Sequence, residues 1–188
     1  MTRLEIVAVV VSFAGIWLTA KRRMLCWPVN LVACALYFAV FLHARFYADM
    51  VLQALFGIAI LYGWVSWTRG ADDTGTIIVI ELRPLEALAG LTAGAVGGVG
   101  IGWLTSRYTD AALPWMDATL TSFSLVAQFW TARGYAASWL LWIAVDILYV
   151  GMFVVKGLMP TAGLYATMIA LAVMGYRRWL RAPSAVGK

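Results

Sequence analysis

The run SWLLWIAVDILY, from Ser138 to Tyr149, sets Trp139, Trp142, Asp146 and Tyr149 at intervals of three, four and three residues. On an α-helix that spacing puts all four side chains on one face. Asp146 falls near the middle of its apolar run, where a carboxylate is costly and should face a polar cavity or a partner. It can accept a hydrogen bond from a ligand or balance the charge of a cation, or it can bond to neighbouring hydroxyls or backbone. The apolar run before it carries a second stripe, Thr121, Ser124, Gln128 and Thr131. Hydroxyls in such runs commonly join one helix to another, whereas the Gln128 amide brings donors and an acceptor that want several partners. Nearer the start, Trp27, Asn30, Cys34 and Tyr37 form a comparable face, and YADMVLQ (Tyr47 to Gln53) puts Asp49 and Gln53 on one side of a helix.

These groups suit binding better than catalysis. No nucleophile stands beside a base, and His43 is the single histidine, with no thiols or carboxylates around it to complete a metal site. Cys26 and Cys34 lie eight positions apart on one helix, about 12 Å, which is too far for a disulfide. No C-x-x-C, H-E-x-x-H or phosphate-cradling glycine loop occurs. Neither a cofactor nor a metal is expected.

The elements that must position these stripes follow from composition. Of 188 residues, 63% are hydrophobic and 12% charged, and the mean hydropathy is +0.85. Soluble domains carry about 25% charged residues, so this chain cannot coat a water-facing surface. A soluble enzyme and a disordered chain are both excluded. Apolar segments over residues 4–20, 24–43, 46–67, 85–105, 114–132, 137–155 and 160–176 predict seven membrane helices, each needing about 20 residues. The runs are continuous, without the alternation of a barrel strand. Leu18-Thr19-Ala20 lacks the small-residue pair of a cleavage site, so the first segment is expected to be a retained helix.

Charge sets the expected orientation. With the N-terminus outside, the inner side collects Lys21, Arg22, Arg23, Arg69, Arg83, Arg133, Arg177, Arg178, Arg181 and Lys188. The outer side keeps Arg3, Arg45, Arg107 and Lys156, a bias of ten to four that predicts a cytoplasmic C-terminus. The same pattern explains the net charge of +5 without nucleic acid. Thr76 to Ile80 is a β-branched run expected as a strand or a surface segment. Gly94, Gly97, Gly98, Gly100 and Gly102 mark the fourth helix for close packing. Trp17, Trp64, Trp67, Trp115, Trp130 and Trp179 fall near helix ends and are expected in the interfacial belt.

Sliding the chain by 112 residues superposes its two ends without a gap. Ser12 falls on Ser124, Thr19-Ala20 on Thr131-Ala132, Trp27 on Trp139, Leu36-Tyr37 on Leu148-Tyr149, Gly63 on Gly175 and Trp67 on Trp179. This predicts one membrane domain over 1–188, with a first repeat at 4–67, a linking helix at 85–105 and a second repeat at 116–179. Three helices, a link and three more form a 3+1+3 parallel repeat of the SWEET type, with substrate held between the triples.

WPVN (Trp27 to Asn30), YADMVLQ, SLVAQFWTARG (Ser124 to Gly134), SWLLWIAVDILY and KGLMPTAGLY (Lys156 to Tyr165) together resemble the PnuC-type vitamin transporters over residues 4–179. The resemblance implies an all-α integral membrane protein of a prokaryotic inner membrane. It implies uptake of nicotinamide riboside by facilitated diffusion, with the product trapped inside by phosphorylation. Relatives carry thiamine or riboflavin. It places Gln128, Trp139, Trp142 and Asp146 at the substrate site, with Gln53 and Tyr165 as additions; Asn30 and Ser124 complete the candidates. Riboside-type members commonly have Asn before the first Trp of the sixth-helix motif, where this chain has Ser138. The alternatives are a thiamine or riboflavin facilitator, or a membrane scaffold subunit without transport. The expected partners are a small vitamin and the lipid bilayer, and an oligomer is compatible with the sequence but not specified by it.

Overall fold

Long apolar runs become helices because each backbone group then finds its partner inside the segment. Among the described residues seven form: α1 (Arg3–Ala20), α2 (Cys26–Ala44), α3 (Tyr47–Gly70), α4 (Pro84–Tyr108), α5 (Pro114–Ala132), α6 (Ala137–Val155) and α7 (Met159–Leu180). The computed structural model describes residues 3–44, 47–70, 77–109, 113–155, 157 and 159–181. Pro84 and Pro114 open α4 and α5, where a missing N–H breaks no helical bond. The corners after α1 and α5 turn through positive φ at Arg22 (57°) and Gly134 (79°), a conformation that only glycine adopts without strain.

Among the described residues, α1, α2, α4, α6 and Met50–Gly70 of α3 are long and apolar enough to cross a membrane. The sequence expectation of seven such spans is met in helix number, but α5 and α7 fall short in apolarity. The reason lies in where their polar groups go. α5 carries Ser122, Ser124 and Thr131 buried against protein, and α7 ends in Arg177 and Arg178.

α2 packs between α1 and α3, and α6 between α5 and α7; α4 lies on α5. Two contacts cross between these groups, α3 on α5 and α1 on α7. Buried Gly94 and Gly102 bring α4 close to α5, since a Cβ there would come within 2.7 Å of Phe123 and of Trp115.

One end of the bundle is closed by indoles. Trp27, Trp67, Trp139 and Trp179 are all buried, with Trp67 edge-on to Trp27 at 4.9 Å, Trp179 edge-on to Trp139 at 5.6 Å, and Trp67 and Trp179 5.9 Å apart. The belt expectation is therefore corrected for Trp67 and Trp179, and for Trp130, which is also buried; Trp17 and Trp115 are exposed as expected. Trp67 and Trp179 are drawn in by the Thr131 and Thr19 carbonyls, which accept from their Nε1 groups, and Gly90 makes room for Trp130; Gly63 and Gly175 leave the slots that the Trp27 and Trp139 rings fill.

Below this cluster runs the extended segment Ile77 to Ile80, which makes an isolated bridge and no regular strand; Thr76, the first residue of the β-branched run, lies outside the described residues. Ile77 and Val79 point into the indole cluster, while Ile78 and Ile80 face out. Ile80 pairs in parallel with Tyr135, and its N–H donates to Gly134 O at 3.0 Å. Arg22 Nη1 donates to Ile77 O at 2.9 Å. One segment thus ties both corners together. Burial pushes the Tyr135 phenol up, and the Tyr62 and Tyr135 hydroxyls raise Arg133 further above its usual range.

Several interactions recur between residues 112 apart. Trp67 Nε1 donates to Thr131 O and Trp179 Nε1 to Thr19 O, both at 3.2 Å. Tyr37 stacks on Phe41 and Tyr149 on Phe153, each at 5.9 Å. Thr19 and Thr131 hydroxyls each donate to the carbonyl four residues back, at 2.8 and 2.9 Å.

Candidate functional site

Asp146 sits mid-way along α6, only 6% exposed. Among the described residues no side chain donates a hydrogen bond to it. A buried carboxylate without a partner is costly, which is why such groups in membrane helices face a ligand or a polar cavity. One turn further on, Tyr149 reaches the side chains of Thr121 and Ser124 on α5 and lies in electrostatic range of Asp146. Tyr165 of α7 closes this side, its ring 4.8 Å from Tyr149 and 5.2 Å from Phe153. The structure therefore gathers Asp146, Ser124 and Tyr165 from three helices, with Tyr149 among them.

Ser124 is buried, and its hydroxyl donates to Leu120 O at 2.8 Å, so it is left as an acceptor. One turn before Asp146, half-buried Trp142 donates from Nε1 to Thr131 Oγ1 at 3.3 Å, which fixes the ring plane. On the other side, Asn30 Nδ2 donates to Thr19 Oγ1 at 3.2 Å. Gly15 makes room for that amide, since a Cβ there would overlap it. Gln128 and Gln53 are half-buried on α5 and α3.

Trp139 goes elsewhere. It is 3% exposed in the indole cluster, about two turns along α6 from Asp146. Beside it, Ser138 is fully buried with no partner for its hydroxyl among the described residues. The Asp49 side chain, Lys156 and Leu158 lie outside the described residues.

The sequence places Tyr149 on the Asp146 stripe but not among the candidate site residues, and Thr131 on a stripe whose hydroxyls commonly join helices. The signal for Thr19 and Thr131 was present, because Thr19-Ala20 and Thr131-Ala132 superpose in the 112-residue shift. A groove of about 550 Å³ also opens between α4 and α5, lined by Gly90, Val126, Phe129, Arg133 and Tyr135 among others, and none of the candidate residues lines it.

The site is thus a buried carboxylate with a hydroxyl and two phenols around it, inside a bundle of apolar helices. The family model described as nicotinamide mononucleotide transporter matches residues 2–181. The chain belongs to this transporter family. A similar relative is the riboflavin/roseoflavin transporter RibM of Streptomyces davaonensis, 30% identical over 85% of this chain and 76% of that protein. The nicotinamide riboside transporter PnuC of Escherichia coli is 24% identical over 94% of this chain and 84% of its own length. The crystal structure of the vitamin B3 transporter PnuC matches with a TM-score of 0.76 at 26% identity, covering 95% of this chain and 80% of that one. The PnuC-type resemblance read from the sequence is thus a shared family, a multi-pass membrane transporter family and not one of enzymes.

Proposed function

We propose that this member of the family takes up nicotinamide riboside by facilitated diffusion through a site built on Asp146, Trp142, Gln128, Ser124 and Tyr165, with Gln53 and Asn30 opposite. The observation that carries this reading is the buried Asp146 carboxylate, unpartnered among the described residues, one helical turn from an indole. The substrate's pyridinium is a flat cation. Trp142 offers it a face, and Asp146 offers a counter-charge or an acceptor for a ribose hydroxyl. A phosphate would bring negative charge towards Asp146, so the riboside fits better than its nucleotide. Kinases inside the cell would then trap the product by phosphorylation.

In this reading α1–α3 and α5–α7 are two repeats, α4 links them in parallel, and all seven helices span the inner membrane. The interactions that recur 112 residues apart support this arrangement, as do the matching contacts of α3 on α5 and α1 on α7. The N-terminus lies outside and the C-terminus in the cytoplasm. A reporter active only in the cytoplasm is expected to work when fused after the last residue; activity only from a periplasmic reporter overturns the topology.

A second reading has a specific basis. RibM is 30% identical, and Ser138 departs from the riboside-type pattern, so riboflavin is the competing substrate. Thermal stabilisation of the purified protein by nicotinamide riboside, riboflavin and thiamine separates the three. Stabilisation by none of them, with no uptake into liposomes, favours a scaffold.

Trp142→Ala and Gln128→Ala are each expected to weaken binding of the stabilising vitamin. The loss should be about 0.5–2 kcal/mol for the indole and about 1 kcal/mol for the amide. Titration calorimetry reads both. Parental affinity in both variants would mean that these stripes only pack helices.

A further inference from the structure

Every polar atom of Thr131 is engaged, and its partners come from three helices. Its hydroxyl donates to Ala127 O on its own helix at 2.9 Å and accepts from Trp142 Nε1 of α6 at 3.3 Å. Its carbonyl, freed at the end of α5, accepts from Trp67 Nε1 of α3 at 3.2 Å and from Gly134 N at 3.0 Å. Thr19 repeats the arrangement. Its hydroxyl donates to Gly15 O and accepts from Asn30 of α2, and its carbonyl accepts from Trp179 Nε1 of α7 at 3.2 Å and from Arg22 N at 2.9 Å. Both threonines are buried. In each, the hydroxyl holds a candidate substrate-facing side chain, and the carbonyl holds an indole from the opposite group of helices.

The two indole-to-carbonyl bonds cross between α3 and α5 and between α7 and α1, the places where the two groups of helices touch. They sit in the cluster closed from below by Ile77 and Val79. Opening that end breaks both bonds, and a buried indole N–H without an acceptor is unfavourable.

We propose that Thr131 and Thr19 are positioning residues that couple the substrate site to a latch formed by Trp67 and Trp179. This rests on the vitamin-transport reading. Substrate stacked on the Trp142 face, or bonded to the Asn30 amide, shifts that side chain relative to the threonine hydroxyl that holds it. The threonine's hydroxyl bond therefore differs between the loaded and empty states, and its carbonyl bond to the latch changes strength with it. A ligand shifts a conformational equilibrium only through such a difference between states. The hydroxyl tunes the response, and the indole sets the closed state.

Cys26 supplies a native reporter, since it is fully buried in the same cluster. The test uses the full-length protein in liposomes, N-ethylmaleimide labelling of Cys26 read by peptide mass spectrometry, and calorimetry with nicotinamide riboside and riboflavin in parallel. Trp67→Phe, which keeps a ring and removes the N–H, is expected to raise the basal labelling rate several-fold. Saturating vitamin is expected to change the rate several-fold in the parent and in Thr131→Ser. Thr131→Val keeps the volume and the carbonyl but loses the hydroxyl; it should bind several-fold more weakly and show no labelling response even when saturated. A full response in Thr131→Val, or none in a parent that binds, overturns the coupling. A parental basal rate in Trp67→Phe overturns the latch. If neither vitamin binds the parent, the vitamin reading fails and takes the coupling with it, while the Trp67→Phe rate still decides the latch.

Discussion

Gly63→Leu is expected to destabilise the folded protein severely, Gly175→Leu to do so as well, and Gly151→Leu to leave its thermal midpoint near that of the parent. The difference follows from what each glycine faces. A Cβ at Gly63 would fall within the Trp27 ring, and one at Gly175 would come 2.8 Å from the Trp139 ring; at Gly151 nothing lies within 4 Å. Forcing extra carbon into a packed site costs about 1–3 kcal/mol, sometimes more. Neither indole has free space into which to retreat. Trp27 is held edge-on by Trp67, and Trp139 by Trp179. Gly151 is exposed on α6, where a leucine meets lipid. Thermal unfolding of the three purified variants checks this. Equal midpoints for Gly63→Leu and Gly151→Leu would mean that Trp27 is not seated against α3.

These glycines also show what the sequence made legible. Helix positions could be read because lipid leaves the backbone no other way to satisfy itself, and the polar stripes because a 3.6-residue period needs no tertiary information. Whether an indole near a helix end lies in the interface or the core depends on what faces it. Trp67 and Trp179 are buried because of rings and carbonyls from helices far away in sequence. A glycine four residues before each, at the same relative position in both halves, was the available clue. The segment Ile77 to Ile80 shows the same limit. Its inward-outward alternation could be read, but its partners, the Arg22 guanidinium and the Gly134 carbonyl, come from two corners far away in sequence.

Asp146→Asn is expected to weaken binding of nicotinamide riboside by about 1.5–3 kcal/mol, the range of a hydrogen bond to a charged group. That is between about tenfold and somewhat over a hundredfold in affinity. The asparagine keeps the shape and one acceptor oxygen, so the loss reports the charge together with the oxygen exchanged for an N–H donor. Riboflavin, with a neutral ring system, should lose less, and the ratio of the two losses tells which substrate the carboxylate serves. The same variant tests the mode of transport. A proton carrier must change its protonation in each cycle and pass the proton onwards. Among the described residues Glu5, Asp117 and Glu86 lie in first turns, Glu81 is exposed ahead of α4 and His43 lies in a last turn, so none stands at the depth of Asp146. Asp146 is therefore a fixed partner for the substrate in this reading. Uptake into vesicles should be indifferent to an imposed proton gradient in the parent and in Asp146→Asn alike. Accumulation of unmodified vitamin above equilibrium, driven by that gradient and lost in Asp146→Asn, would instead make Asp146 the proton carrier and the protein an active transporter.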